Sequence, residues 1–170
     1  YLYWNEGGQF EEGIKEAVSR TSQFSMGVDI ADVNNDGHTD ILTLDMMPEE
    51  EEIRKRSVGY DPYNIFLFKK RYGYHDQFPH NHLQINNGQA NPRFSELAAF
   101  ADIESTDWSW ACLWQDFDGD GLKDLFVSNG ILRRPNDLDY LNYIANPMVQ
   151  QGASDLELAE KMPSGKVPNY

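Results

Sequence analysis

Apolar and polar positions alternate with period two in several short stretches of the chain. Gly27–Ile30, Ile41–Leu44, Ala111–Trp114 and Leu125–Val127 are apolar, partly β-branched segments bounded by turn residues, which is the pattern of strands. Phe24, Met26, Val28 and Ile30 fall at alternate positions, as do Trp108, Trp110, Cys112 and Trp114. That spacing predicts strands with one face in the core. Leu2–Gly8 and His82–Gly88 each read as a short strand ending in an Asn/Gly turn, and an aromatic (Phe10 or Phe94) opens the next polar stretch. Elsewhere the period changes. Tyr63–Tyr72 is expected to be helical and to end at Gly73. Leu138, Leu141, Ile144 and Ala145 recur at helical spacing after a capping Asp137, and Ser154 caps a further short helix through Met162, stopped by Pro163.

Two of the predicted strand pairs are joined by acidic loops. Residues 32–40 read Asp-Val-Asn-Asn-Asp-Gly-His-Thr-Asp and residues 116–124 read Asp-Phe-Asp-Gly-Asp-Gly-Leu-Lys-Asp, so both fit D-x-[DN]-x-D-G-x-x-D. Calcium takes about six to eight oxygen ligands. Side chains at loop positions 1, 3, 5 and 9 supply them if the backbone curls round one ion, with a glycine at position 6 for the sharp turn. Position 7 offers its carbonyl. The expected ligands are Asp32, Asn34, Asp36 and Asp40 with the His38 carbonyl, and Asp116, Asp118, Asp120 and Asp124 with the Leu122 carbonyl. Loop two has four carboxylates against three in loop one and is expected to bind more tightly. Asp, Asn and Gly favour turns without any metal. Two loops with the same full pattern argue for a cation, because crowded carboxylates repel. Neither loop is an EF-hand, since position 12 is Thr43 or Val127 rather than Glu and the flanks read as strands.

The two loops start 84 residues apart, at Asp32 and Asp116. The same offset superposes Phe24, Met26, Val28 and Ile30 on Trp108, Trp110, Cys112 and Trp114, and Ile41 on Leu125. The alignment favours core packing for these tryptophans over an exposed sugar-stacking face. Each unit therefore reads strand, turn, short strand, strand, loop, strand, and about four strands is the content of one propeller blade.

Gly27–Asp45 and Thr106–Gly130, with Leu2–Gly8 and His82–Gly88, resemble the FG-GAP/VCBS repeat of integrin α-chain propellers and of many bacterial surface proteins. The wider arrangement resembles the bacterial ASPIC/UnbV-associated repeat proteins. The resemblance implies a fold that is mainly β with helical insertions, a partial integrin-α-like β-propeller of two repeats holding two structural calcium ions. It also implies an extracellular, cell-surface or periplasmic location and a non-catalytic role in adhesion or ligand binding. Residues 1–45 are the first repeat with its loop at 32–40, 46–81 a partly helical insertion, 82–131 the second repeat with its loop at 116–124, and 132–170 a helical segment leading to a further blade outside the chain. The chain opens at Tyr1 without an initiator Met and reads as a piece of a longer protein whose further blades pack against it.

Composition sharpens this. The 170 residues are 40% hydrophobic, enough for one sizeable core, and no apolar run approaches the ~20 residues of a membrane helix. A formal charge of −14 repels nucleic acid and anionic membranes and attracts cations. Cys112 is the single cysteine, so no intrachain disulfide forms. The insertion opens with Pro48, an acidic run Glu49–Glu52 and a basic cluster Arg54-Lys55-Arg56. Tyr60, Tyr63, Tyr72 and Tyr74 in it are candidates for contact with a protein or glycan ligand. His75, His80 and His82 read as polar loop or packing residues rather than a transition-metal site. No G-x-S-x-G, H-E-x-x-H or phosphate-binding loop is present, so no enzyme is expected here, and the alternative to adhesion is a glycan-binding module or an accessory part of a polysaccharide-degrading enzyme.

Overall fold

The computed structural model describes residues 1–57, 59–89 and 93–170. The chain begins with a hairpin, β1 (Tyr3–Glu6) and β2 (Gln9–Glu12), turning at Gly7 and Gly8, both left-handed. Helix α1 (Ile14–Ala17) and the short β3 (Thr21–Ser22) lead to a second hairpin, β4 (Gly27–Ala31) and β5 (Asp40–Leu44), closed by the first acidic loop. Helices α2 (Glu51–Arg56) and α3 (Tyr63–Arg71) precede β6 (Gln77–Phe78), β7 (His82–Asn86) and β8 (Phe94–Glu96). The second acidic loop joins β9 (Ser109–Gln115) to β10 (Asp124–Asn129). Then follow β11 (Ile131–Arg133), α4 (Leu138–Ile144), α5 (Pro147–Gly152), α6 (Asp155–Lys161) and β12 (Ser164–Gly165).

The largest sheet is an antiparallel meander in the order β4-β5-β7-β8. It draws two strands from residues 1–45 and two from residues 82–131, so the sheet is out of phase with the sequence repeat. Beside it stands the β9–β10 hairpin, in which Val127 exchanges both backbone hydrogen bonds with Tyr170, at 2.7 and 3.0 Å. Among the described residues the strands form this four-stranded sheet and four two-stranded ones, and they close no barrel.

Local chemistry explains the helices. Asp137 and Ser154 cap α4 and α6 through Tyr140 N–H and Glu157 N–H, and Glu157 reciprocates to complete a capping box. In α2 the charge run lies with acid in the first turn and base in the last, favourable to the helix dipole, with Lys55–Glu51 and Arg56–Glu52 paired one turn apart. Arg56 also reaches Asp137 and Asp139 (3.0 and 3.1 Å), which ties the two helical excursions together.

The core lies between the two loop-bearing hairpins. Leu42, Leu44 and Leu83 meet Val127, with Cys112, Trp114 and Leu125 packed against them and Ala98 and Ile103 closing the cluster. The expectation that Phe24, Val28 and Ile30 also face the core is overturned: Val28 and Ile30 are 60% and 58% exposed. Only one face of β4 is covered. Asp29 occupies it, opposite Leu42, and its carboxylate accepts Trp114 N–H at 2.7 Å. Trp110 likewise turns outward at 47% exposure, donating its indole N–H to Gly130 C=O, while Trp108 and Trp114 are half-buried. The face carrying Val28 and Ile41 borders a cavity of about 850 Å³ whose other walls come from Leu2, Ile14 and Val18.

Two features brace this arrangement. Asp45, wholly buried, accepts from Ser22 Oγ and from the N–H groups of Gln23, Phe24 and Met46, while its own N–H donates to Asn81 Oδ1. Gly27 lets β4 approach β9: a Cβ there would stand 2.7 Å from Trp110 O and 3.1 Å from Ala111 Cα, both backbone atoms. Gly27→Ala is therefore expected to cost about 1–3 kcal/mol, the scale of overpacking, measured by urea unfolding. An unchanged midpoint would show that the hairpins part without loss.

Candidate metal centre

The two acidic loops have the same backbone. Position 4 is left-handed in both, at Asn35 (φ 58°) and Gly119 (φ 80°), and so is position 6, at Gly37 (φ 85°) and Gly121 (φ 88°). The hydrogen bonds also correspond. Asp32 accepts from Asp36 N and Gly37 N, and Asp116 from Asp120 N and Gly121 N, with Gly119 N in addition. Asn34 Oδ1 and Asp118 Oδ1 each accept from the N–H at position 5, at 3.1 Å. Asp36 and Asp120 each accept from the N–H at position 7, at 2.8 Å. Asp40 and Asp124 close the loops by accepting from Val33 N and Phe117 N. These bonds curl each loop on its own carboxylates; Asp32 and Asp116 use both oxygens on backbone N–H groups, yet each carboxylate keeps lone pairs free.

In loop two the ligand atoms converge. Asp116, Asp118 and Asp120 each offer a carboxylate oxygen within 4.8 Å of the others, Asp116 half-buried and the other two exposed. This cluster can hold a metal ion. Its donors are all hard oxygens, with no sulfur or imidazole, which fits calcium or magnesium rather than zinc or copper. Asp124 lies outside that trio, and Leu122, whose carbonyl is the expected position-7 donor, has its side chain exposed.

Loop one differs at position 3, where Asn34 replaces a carboxylate. Its amide donates to Asp36 Oδ2 at 2.9 Å, and together with the His38 N–H this holds the Asp36 carboxyl below the usual range, His38 N–H contributing most. Asp40 is buried, and its second oxygen accepts Asn86 N–H at 2.8 Å from the end of β7. The His38 ring packs against Gly88, where any Cβ would stand 2.6 Å from Nε2. Loop one is thereby tied to the β7–β8 turn.

Residues 1–43 match the family model of the FG-GAP-like repeat. The matched FG-GAP-like segment contains β1 to β4, the whole of loop one and most of β5. No curated protein and no solved structure matches the chain. Loop two lies outside the matched residues; its left-handed positions and backbone-to-carboxylate hydrogen bonds repeat those of loop one.

The other expected residues fall as follows. Tyr60, Tyr63, Tyr72 and Tyr74 are all more than half exposed, and Tyr72 rests on Phe68 with ring centroids 4.5 Å apart. His80 and His82 stack at 4.2 Å, as packing residues; His82 is wholly buried and neither of its ring nitrogens has a partner among the described residues. Burial pushes the Cys112 thiol up to about 11, with the Asp29 charge adding to it, so the thiol stays protonated. Sequence reasoning missed Asp29, although an acid in the middle of an apolar strand is a visible signal. It also missed Asn35, whose amide crosses from one loop to the other.

Proposed function

We propose that this chain is a calcium-stabilised, non-catalytic segment of an FG-GAP/VCBS-type β-propeller in an extracellular, cell-surface or periplasmic protein, serving adhesion or the binding of a protein or glycan. The observation that carries the reading is the second acidic loop, with three carboxylates gathered within 4.8 Å on a backbone duplicated 84 residues upstream. In loop two Asp116, Asp118 and Asp120 hold the ion with the Leu122 carbonyl and Asp124. In loop one Asp32, Asn34 and Asp36 do so with the His38 carbonyl and Asp40. The ion's role is structural: it offsets part of the formal −14 charge where acid is densest and adds its binding energy to folding.

The propeller reading explains the faces. Under the 84-residue offset Val28 and Ile30 correspond to Cys112 and Trp114, which are half-buried on the neighbouring hairpin. A further blade of the parent protein packing on the Val28–Ile30 face would cover it in the same way and fill the adjoining cavity. Strands β1 and β2 then belong to that blade as its outer pair. Ligand contact falls to the helical excursion, where the exposed Tyr60, Tyr63, Tyr72 and Tyr74 favour a glycan as the alternative to a protein partner.

Thermal unfolding with millimolar calcium, with magnesium and with excess EGTA tests the reading. A rise in Tm specific to calcium is expected. Identical curves in all three would leave the loops as bare turns and remove the basis of the proposal.

A further inference from the structure

The two acidic loops touch. Asn35 lies between the loop-one ligands Asn34 and Asp36, and its Nδ2 donates to Gly121 O in loop two at 3.1 Å. Gly121 C=O and Leu122 N–H belong to one peptide unit. Leu122 N–H donates to Asp120 Oδ1 at 2.8 Å. That peptide plane is thus held at both ends, by Asn35 on the carbonyl side and by Asp120 on the amide side. Its orientation sets where the Asp120 carboxylate points and where the Leu122 carbonyl begins.

The choice of residue at position 35 needs its own explanation. The backbone there is left-handed, a conformation that glycine adopts most easily and asparagine tolerates. Loop two solves the same problem with Gly119 and carries no side chain. Loop one instead has an asparagine, and its amide donor is used outside its own loop. Backbone conformation alone does not call for that side chain; the link to Gly121 does.

We infer that Asn35, from loop one, is a positioning residue for the cation site of loop two, acting through the Asn35–Gly121 hydrogen bond. This inference rests on the calcium reading given above. With the link made, the 121–122 peptide is already oriented before the ion arrives, and less ordering remains to oppose binding.

The test uses the whole chain and calcium chloride in a calorimetric titration at about 0.15 M salt. Asp36→Ala removes a loop-one ligand and leaves loop two as the remaining site. Adding Asn35→Gly to it keeps the left-handed backbone and deletes only the cross-loop donor. The expected result is a calcium affinity at loop two roughly fivefold lower in the double variant than in Asp36→Ala, the scale of one hydrogen bond. Equal affinities, with circular dichroism showing both variants folded, would overturn the positioning role of Asn35 while leaving the calcium reading intact. Absence of any calcium heat in the unsubstituted chain would instead overturn the calcium reading, and the positioning role with it.

Discussion

Asp116→Ala is expected to destabilise the protein both in calcium and in EGTA, whereas Asp118→Ala is expected to do so in calcium alone. The difference lies in what each carboxylate does without an ion. Asp116 accepts the N–H groups of Gly119, Asp120 and Gly121 at 2.6, 3.1 and 2.9 Å, so its loss leaves Gly119 and Gly121 N–H to water, while Asp120 N–H keeps Asp118. In an exposed loop that is worth about 1–2 kcal/mol. Asp118 accepts only Asp120 N–H, which retains Asp116 as a second acceptor. Its removal in EGTA is expected to change stability by less than about 0.5 kcal/mol. In calcium at about a thousand times the dissociation constant, loss of the bound ion adds about 4 kcal/mol to either substitution. Differential scanning calorimetry of both variants in both media reads all four values. Equal losses for the two variants in EGTA would mean that Asp116 does not organise the loop.

Acidification from pH 7 to pH 4.5 is expected to cost about 2.5 kcal/mol through His82 alone. Burial, aided by the neighbouring His80, holds the His82 imidazole down to about 3 against an ordinary value of 6.5. Both ring nitrogens lack partners among the described residues, so the native state holds the ring neutral. The sign follows from proton counting. Below pH 6.5 the unfolded chain takes up a proton that the native chain refuses until pH falls to about 3. The unfolded state therefore binds more protons, and stability is lost as pH falls through that window. His82→Leu removes the titrating group at similar volume. The stability difference between the variant and the unsubstituted protein, from urea unfolding at pH 7 and 4.5, should grow in the variant's favour by that amount. A constant difference across the window would mean that His82 is not held neutral in the native state.

Local signals in the chain were sufficient for much of the architecture. Alternation placed the four strands flanking the loops, and the Asn/Gly turns placed β1–β2 and β7–β8. Asp137 and Ser154 announced α4 and α6 because a cap is a contact within three residues. Helix α2 was missed as a bare charge run, although acid before base is what a helix dipole favours. The short α1 and α5 carry too few residues for a periodic signal, and α5 is marked mainly by Asn146 before Pro147.

What the sequence by itself determined is the loop: nine residues whose acidic side chains and turn glycine act mainly on near neighbours, and whose backbone repeats between residues 32–40 and 116–124. Which strand face is buried was decided by tertiary structure alone. Period-two alternation says that two faces differ, not which one meets a neighbour, and here the core took Asp29, Leu42 and Leu44 and left Val28 and Ile30 outside. The cross-loop bond from Asn35 to Gly121 spans 86 residues and exists only because the two hairpins stack. A hydrogen bond of that reach depends on packing geometry, which no local pattern encodes.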